Sequence, residues 1–113
     1  MGAGQGRVEQ GAVTRPIVVR PEAGEELVEA HQWYEEQRPG LGDEMVACVE
    51  AALQAAARNP GVFQKVHGPV RRVLVRRFPY GVFFFETDST VVVLAISHAH
   101  RTPDYWERRL RDE

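Results

Sequence analysis

The chain has a single cysteine, Cys48, in 113 residues, so no internal disulfide can form and nothing demands an oxidising compartment. Long apolar runs are also missing. The longest, Val91 to Ile96, has the length of a buried strand and falls well short of the roughly 20 residues that span a bilayer as a helix, so no membrane segment is expected. Met1 to Thr14 is rich in Gly and Gln and has neither the basic nor the apolar portion of a secretory signal. It reads as a disordered leader. No internal repeat or low-complexity tract occurs. The expected location is therefore the cytoplasm, and residues 15–113 are expected to form one domain, because a chain of this size has room for a single core.

Apolar residues make up 43% and charged residues 27%, which excludes a wholly disordered chain and fits a folded globule. The net charge of −2 conceals an asymmetry. Arg20 to Arg58 holds nine acidic residues against three basic ones, whereas Lys65 to Arg111 holds nine basic against four acidic. Blocks of opposite sign attract each other within a fold, or face different partners.

The pattern of apolar residues divides the chain into elements. Ile17 to Arg20 is a short β-branched run ended by Pro21, the signature of an edge strand. Ala23, Leu27, Ala30 and Tyr34 then recur at helical spacing, with Glu22, Glu25, Glu26 and Glu29 near the start, where negative charge favours the helix dipole. Pro39 and Gly40 stop this helix. A second one follows on Leu41, Met45, Cys48, Val49, Ala52 and Ala56, ending at Asn59-Pro60-Gly61. So short a connection makes the two antiparallel. Val70 to Phe78, Val82 to Thr87 and Val91 to Ser97 predict three strands in a meander, and Pro103 to Leu110 a short amphipathic helix. The expected fold is α+β in two layers: an antiparallel helical hairpin on a small antiparallel sheet, in the order β-α-α-β-β-β, with a short C-terminal helix.

Four pieces of this sequence, in order, resemble the RelE/ParE toxins, often called plasmid stabilisation proteins. They are Arg38-Pro-Gly-Leu-Gly-Asp43, Asn59-Pro60, the arginine pairs Arg71-Arg72 and Arg76-Arg77 followed by Phe78-Pro-Tyr80, and Ile96-Ser-His-Ala-His-Arg101. The resemblance covers about Ile17 to Trp106 and is closer to ParE-like than to RelE-like members. It implies the toxin of a type II toxin–antitoxin module, held in a hetero-oligomer by a cognate antitoxin whose flexible C-terminal part folds on binding. For a ParE-like toxin it implies DNA gyrase as the target. For a RelE-like one it implies the ribosome and mRNA, cut without a metal. A non-toxic degenerate member is a third reading.

Cutting RNA at a 2′-hydroxyl needs an acid, a base and cations to stabilise the charged phosphorane. The resemblance places an arginine at the end of the last strand on Arg101, and basic residues of the preceding strand near Arg71, Arg72, Arg76 and Arg77. It also calls for an arginine where this chain has Gly81, and for a late tyrosine that Tyr105 meets only at a shorter spacing. His98 and His100 would share one face of a continuing strand and are acid–base candidates, or polar residues at a sheet rim. Catalytic candidates are thus Arg101, His98, His100, Arg72, Arg76 and Tyr105, and the missing cation tips the balance against an enzyme. Trp33 and Trp106, outside or at the end of the periodic stripes, are candidate anchors for a target or antitoxin, with Arg71 and Arg77. No metal site and no cofactor are expected, because two histidines on a strand are too few protein ligands.

Overall fold

The computed structural model describes residues 14–111; Met1 to Val13 of the expected leader lie outside the described residues. Strand β1 (Ile17–Val19) runs parallel to the last strand, pairing Ile17 with Val91 and Val19 with Val93. Pro21 then takes the first position of helix α1 (Pro21–Gln37), where its missing N–H costs nothing. The face carrying Ala23, Leu27, Ala30 and Tyr34 packs into the core, as the spacing requires. Arg38 to Gly40 reverse the chain, with Gly40 at φ 89° in the left-handed region that glycine adopts without steric cost. Helix α2 (Leu41–Arg58) follows and buries Met45, Val49, Ala52, Ala56 and Ala57. After a single 3-10 turn (Pro60–Val62) come β2 (Lys65–His67), β3 (Val70–Leu74), β4 (Tyr80–Glu86), β5 (Val91–His98) and α3 (Pro103–Arg111). None of these helices is long and apolar enough to cross a membrane.

The sheet order is β1-β5-β4-β3-β2, antiparallel except at β1. The α+β class and the helical hairpin are as expected, with one additional strand, β2. Lys65-Val66-His67 is too short and too polar to show an alternation, and it pairs with Val70 and Arg71 across a turn in which Gly68 has a positive φ of 54°. The strand expected to run to Phe78 stops at Leu74. Val75 N–H donates to the Tyr80 carbonyl at 2.9 Å, and Arg77 has a φ of 72°, so residues 75–79 form a hairpin turn. Tyr80 and Gly81, expected in a break between strands, begin β4 instead.

Both faces of the sheet are covered. Val73, Val75, Val82, Phe84, Val91, Val93 and Ile96 meet the helical hairpin. Val70, Phe83, Leu94 and Ala95 meet Trp106 of α3 in a second cluster. A β-bulge makes this division possible: Phe83 pairs with Ala95 and Phe84 with Val93, which leaves Leu94 as an extra residue in β5. The extra residue lets Leu94 and Ala95 both join the α3 side.

Candidate functional site

Where α1 passes the C-terminal end of β5, the chain leaves an open groove of about 520 Å³, closed on its third side by the start of α3. Trp33 and Tyr34 of α1 form one wall, Tyr80 and His98 the strand ends, and Arg101 and Tyr105 the opposite lip. Trp33 is 56% exposed. Its ring meets Tyr34 edge-on with centroids 5.0 Å apart, Tyr34 lies 6.2 Å from Tyr80, and Tyr80 stacks on the His98 imidazole at 5.0 Å. Four aromatic rings thus touch in sequence along the groove. Opposite them, the Arg101 guanidinium sits 4.4 Å over the Tyr105 ring, a cation–π contact between the loop before α3 and its first turn.

Glu26 and Glu29 add carboxylates to the lining, and among the described residues Arg101 is its one arginine or lysine. The buried Ser97 lines the groove too, its hydroxyl without a hydrogen-bond partner among the described residues. All three tyrosines are held in their neutral form. Burial raises the pKa of Tyr34; burial followed by the proximity of Tyr34 and Glu26 raises that of Tyr80; burial and the hydrogen bond to Glu26 raise that of Tyr105. A phenol so held does not serve as a base near neutral pH.

The groove gathers four of the residues singled out in the sequence, Trp33, His98, Arg101 and Tyr105. The others lie elsewhere. β5 ends at His98 and the chain turns at once, Arg101 N–H donating to the His98 carbonyl at 3.1 Å, so the strand that would have placed His98 and His100 on one face does not continue. His100 is exposed in that turn. Arg72 points its guanidinium at the Ala99 carbonyl, 2.9 Å away, and its stem fills the space over Gly81, where a Cβ would stand 3.2 Å from the Arg72 Cγ. Arg71 donates to the Phe63 carbonyl at 2.7 Å and pairs with Glu86 at 3.5 Å. Arg76 and Arg77 sit in the β3–β4 turn, away from the groove, and line an apolar cleft against Cys48, Ala51 and Ala55 of α2. Arg77 is bound to Glu44 at 2.9 Å.

Trp106 corrects an expectation. It is fully buried, its ring 5.7 Å from Phe83 and 5.8 Å from His67, because α3 covers the second face of the sheet instead of ending at its rim. An anchor for a partner it is not. Glu26, Glu29, Tyr34 and Tyr80 belong to the groove without having been singled out. Their signal in the sequence was ambiguous: glutamates near a helix start and a tyrosine on an apolar stripe are also what any amphipathic helix shows. A separate cluster, His31, Glu35 and Asp43 at the α1–α2 turn, brings three metal-ligating side chains together.

The model of a protein family described as the ParE toxin of the type II toxin–antitoxin system parDE matches residues 17–103. Two curated relatives, each named Toxin ParE2, come from the CDC 1551 / Oshkosh and ATCC 25618 / H37Rv strains of Mycobacterium tuberculosis. Each is 25% identical over 99 residues, spanning 87% of this chain and 94% of the relative. Among solved structures, a chain from the chromosomal ParDE toxin–antitoxin system of P. aeruginosa matches with a TM-score of 0.68 at 13% identity, over 77% of this chain and 98% of that one. This last likeness is one of fold.

Proposed function

Because the chain belongs to the ParE toxin family of type II toxin–antitoxin systems, we propose that it arrests growth by binding an essential macromolecule, DNA gyrase, and not by cutting RNA. The cognate antitoxin of the module is its partner in the neutralised state. One observation supports binding over cleavage: the cations a phosphorane would need are dispersed. Arg101 stands in the groove beside Glu26 and Glu29, while Arg71 and Arg72 are spent on backbone carbonyls and Arg76 and Arg77 lie at the β3–β4 turn. Stabilising a dianionic centre requires several donors converging on one point in a water-excluded site. An open groove in which Arg109 is already paired with Glu26, and which adds Glu29 and neutral phenols, does not assemble them.

What the groove does offer is a half-exposed tryptophan backed by three further rings, flanked by an arginine. Tryptophan, tyrosine and arginine are the residues that dominate binding energy at protein interfaces. Trp33 is the anchor of this reading and Arg101 its polar complement. A ribosome-dependent endonuclease is the competing reading, favoured by the presence of His98 and Arg101 in the same groove. To separate them, purified protein is added to programmed ribosomes carrying end-labelled mRNA and, in parallel, to gyrase with relaxed plasmid. Intact mRNA together with blocked supercoiling is the expected result. Cleaved mRNA, abolished by Arg101→Ala, with unimpaired gyrase would overturn the proposal.

A further inference from the structure

The helix-joining turn carries a cluster that the toxin reading does not use. His31 and Glu35 are one turn apart on α1 and project to the same side. The reversal at Gly40 brings the first turn of α2 directly against them. At Gly42 the two helices touch: a Cβ there would stand 2.7 Å from the Glu35 Cγ and closer still to the His31 carbonyl oxygen, so only glycine fits. This close approach sets Asp43 Oδ1 2.9 Å from His31 Nε2. Glu35 is fixed from behind. Its Oε2 accepts from Gly40 N–H at 3.1 Å and its Oε1 from Gly42 and Asp43 N–H at 2.8 and 3.2 Å.

We propose that His31, Glu35 and Asp43 bind a divalent transition-metal ion of the zinc kind, the imidazole and one oxygen of each carboxylate supplying three ligands and water the remainder. The three ligand atoms already lie within 4.8 Å of one another. Around zinc, with bonds of about 2.0–2.2 Å, tetrahedral ligand atoms stand about 3.4 Å apart. The Asp43 side chain, 81% exposed, has room to turn toward an ion. An imidazole with two carboxylates suits zinc or its neighbours, whereas calcium takes six to eight oxygens and magnesium keeps most of its water. The ion would replace the His31–Asp43 hydrogen bond as the link between α1 and α2. Metal occupancy is thereby coupled to the stability of the hairpin, and it is independent of which macromolecule the groove binds.

The test is calorimetric titration of the full chain with Zn²⁺, comparing the parent with His31→Gln, which keeps a hydrogen-bond donor facing Asp43 but removes the imidazole, and with Asp43→Asn at an exposed position. A variant carrying His98→Gln and His100→Gln controls for binding elsewhere. One ion per chain is expected, about tenfold or more weaker in both cluster variants and unchanged in the control, with Zn²⁺ raising the melting temperature of the parent but not of His31→Gln. Zn²⁺ binding equal in parent and His31→Gln, lost only in the control, or absent from the parent would each overturn the proposal.

Discussion

The Glu26 carboxylate receives two hydrogen bonds from the Arg109 guanidinium, at 3.0 and 3.1 Å, and each partner also binds the backbone of β5. Ile96 N–H donates to Glu26 at 2.9 Å, and Arg109 donates to the Leu94 carbonyl at 2.9 Å. β1 pairs with β5 only as far as Val93, so the edge of β5 beyond that point would stand open where the groove begins. The ion pair takes the place of the missing strand, satisfying one donor and one acceptor of the edge. Tyr105 donates its hydroxyl to the same carboxylate, which ties the lip of the groove to its floor.

Both side chains of the pair are mostly buried, 14% and 17% exposed, so removing one partner leaves a desolvated charge. Glu26→Ala and Arg109→Ala are each expected to lower unfolding stability by about 3 kcal/mol, measured by urea denaturation. The double variant should lose much less than the sum, because the two act as one unit. Losses under about 0.5 kcal/mol would show that the edge needs no such closure.

The two tryptophans should separate cleanly. Trp106→Ala empties the centre of the second core and is expected to cost about 3–5 kcal/mol in the same denaturation assay. Trp33→Ala, at a half-exposed position on α1, should shift stability by about 0.5 kcal/mol or less while weakening binding to the target. A large destabilisation by Trp33→Ala would mean that its ring supports the fold through Tyr34 and is no free anchor.

Acid should loosen the helical hairpin first at its turn. The Glu35 carboxylate is held below its ordinary value of 4.5 by the Gly40, Asp43 and Gly42 N–H groups. That of Glu44 is held below the same value by Arg77 and then Arg38. A carboxyl group whose folded pKa is depressed stabilises the fold fully above its unfolded pKa, and that contribution is lost as pH falls through the folded value. The melting temperature should therefore be insensitive to these groups from neutral pH down to about 5 and should fall below about 4.5. In Glu35→Gln the acid-induced drop, followed by circular dichroism between about pH 7 and pH 3, should be shallower than in the parent; an identical profile would remove Glu35 from the account.

Periodicity made the helical hairpin legible, because Ala23 to Tyr34 and Leu41 to Ala56 each commit one face to a core. Charge did not reveal its own use. Glu26 stands among Glu22, Glu25 and Glu29, and no spacing rule distinguishes the one that reaches across the fold to Arg109, 83 residues on. The arginine-rich strand misled for a related reason: alternation continues through Val75 and Arg77, but the chain turns there because Arg77 adopts a left-handed conformation, which sequence pattern does not encode for a residue other than glycine or asparagine. Of the groove, Arg101, His98 and Trp33 were readable as chemistry-bearing residues. That they meet around Tyr34 and Tyr80 depends on how far β4 and β5 extend, which is a matter of pairing register.

Gyrase binding through the aromatic groove, without cleavage, is the activity proposed for this toxin. It is tested by the concentration of purified protein that half-inhibits gyrase supercoiling of relaxed plasmid, determined for the parent, Trp33→Ala and Arg101→Ala at matched folded fraction. Inhibition by the parent is expected, with about tenfold or more protein needed for Trp33→Ala and a smaller shift for Arg101→Ala. A parent protein that leaves supercoiling untouched, or a Trp33→Ala variant as potent as the parent, would contradict it.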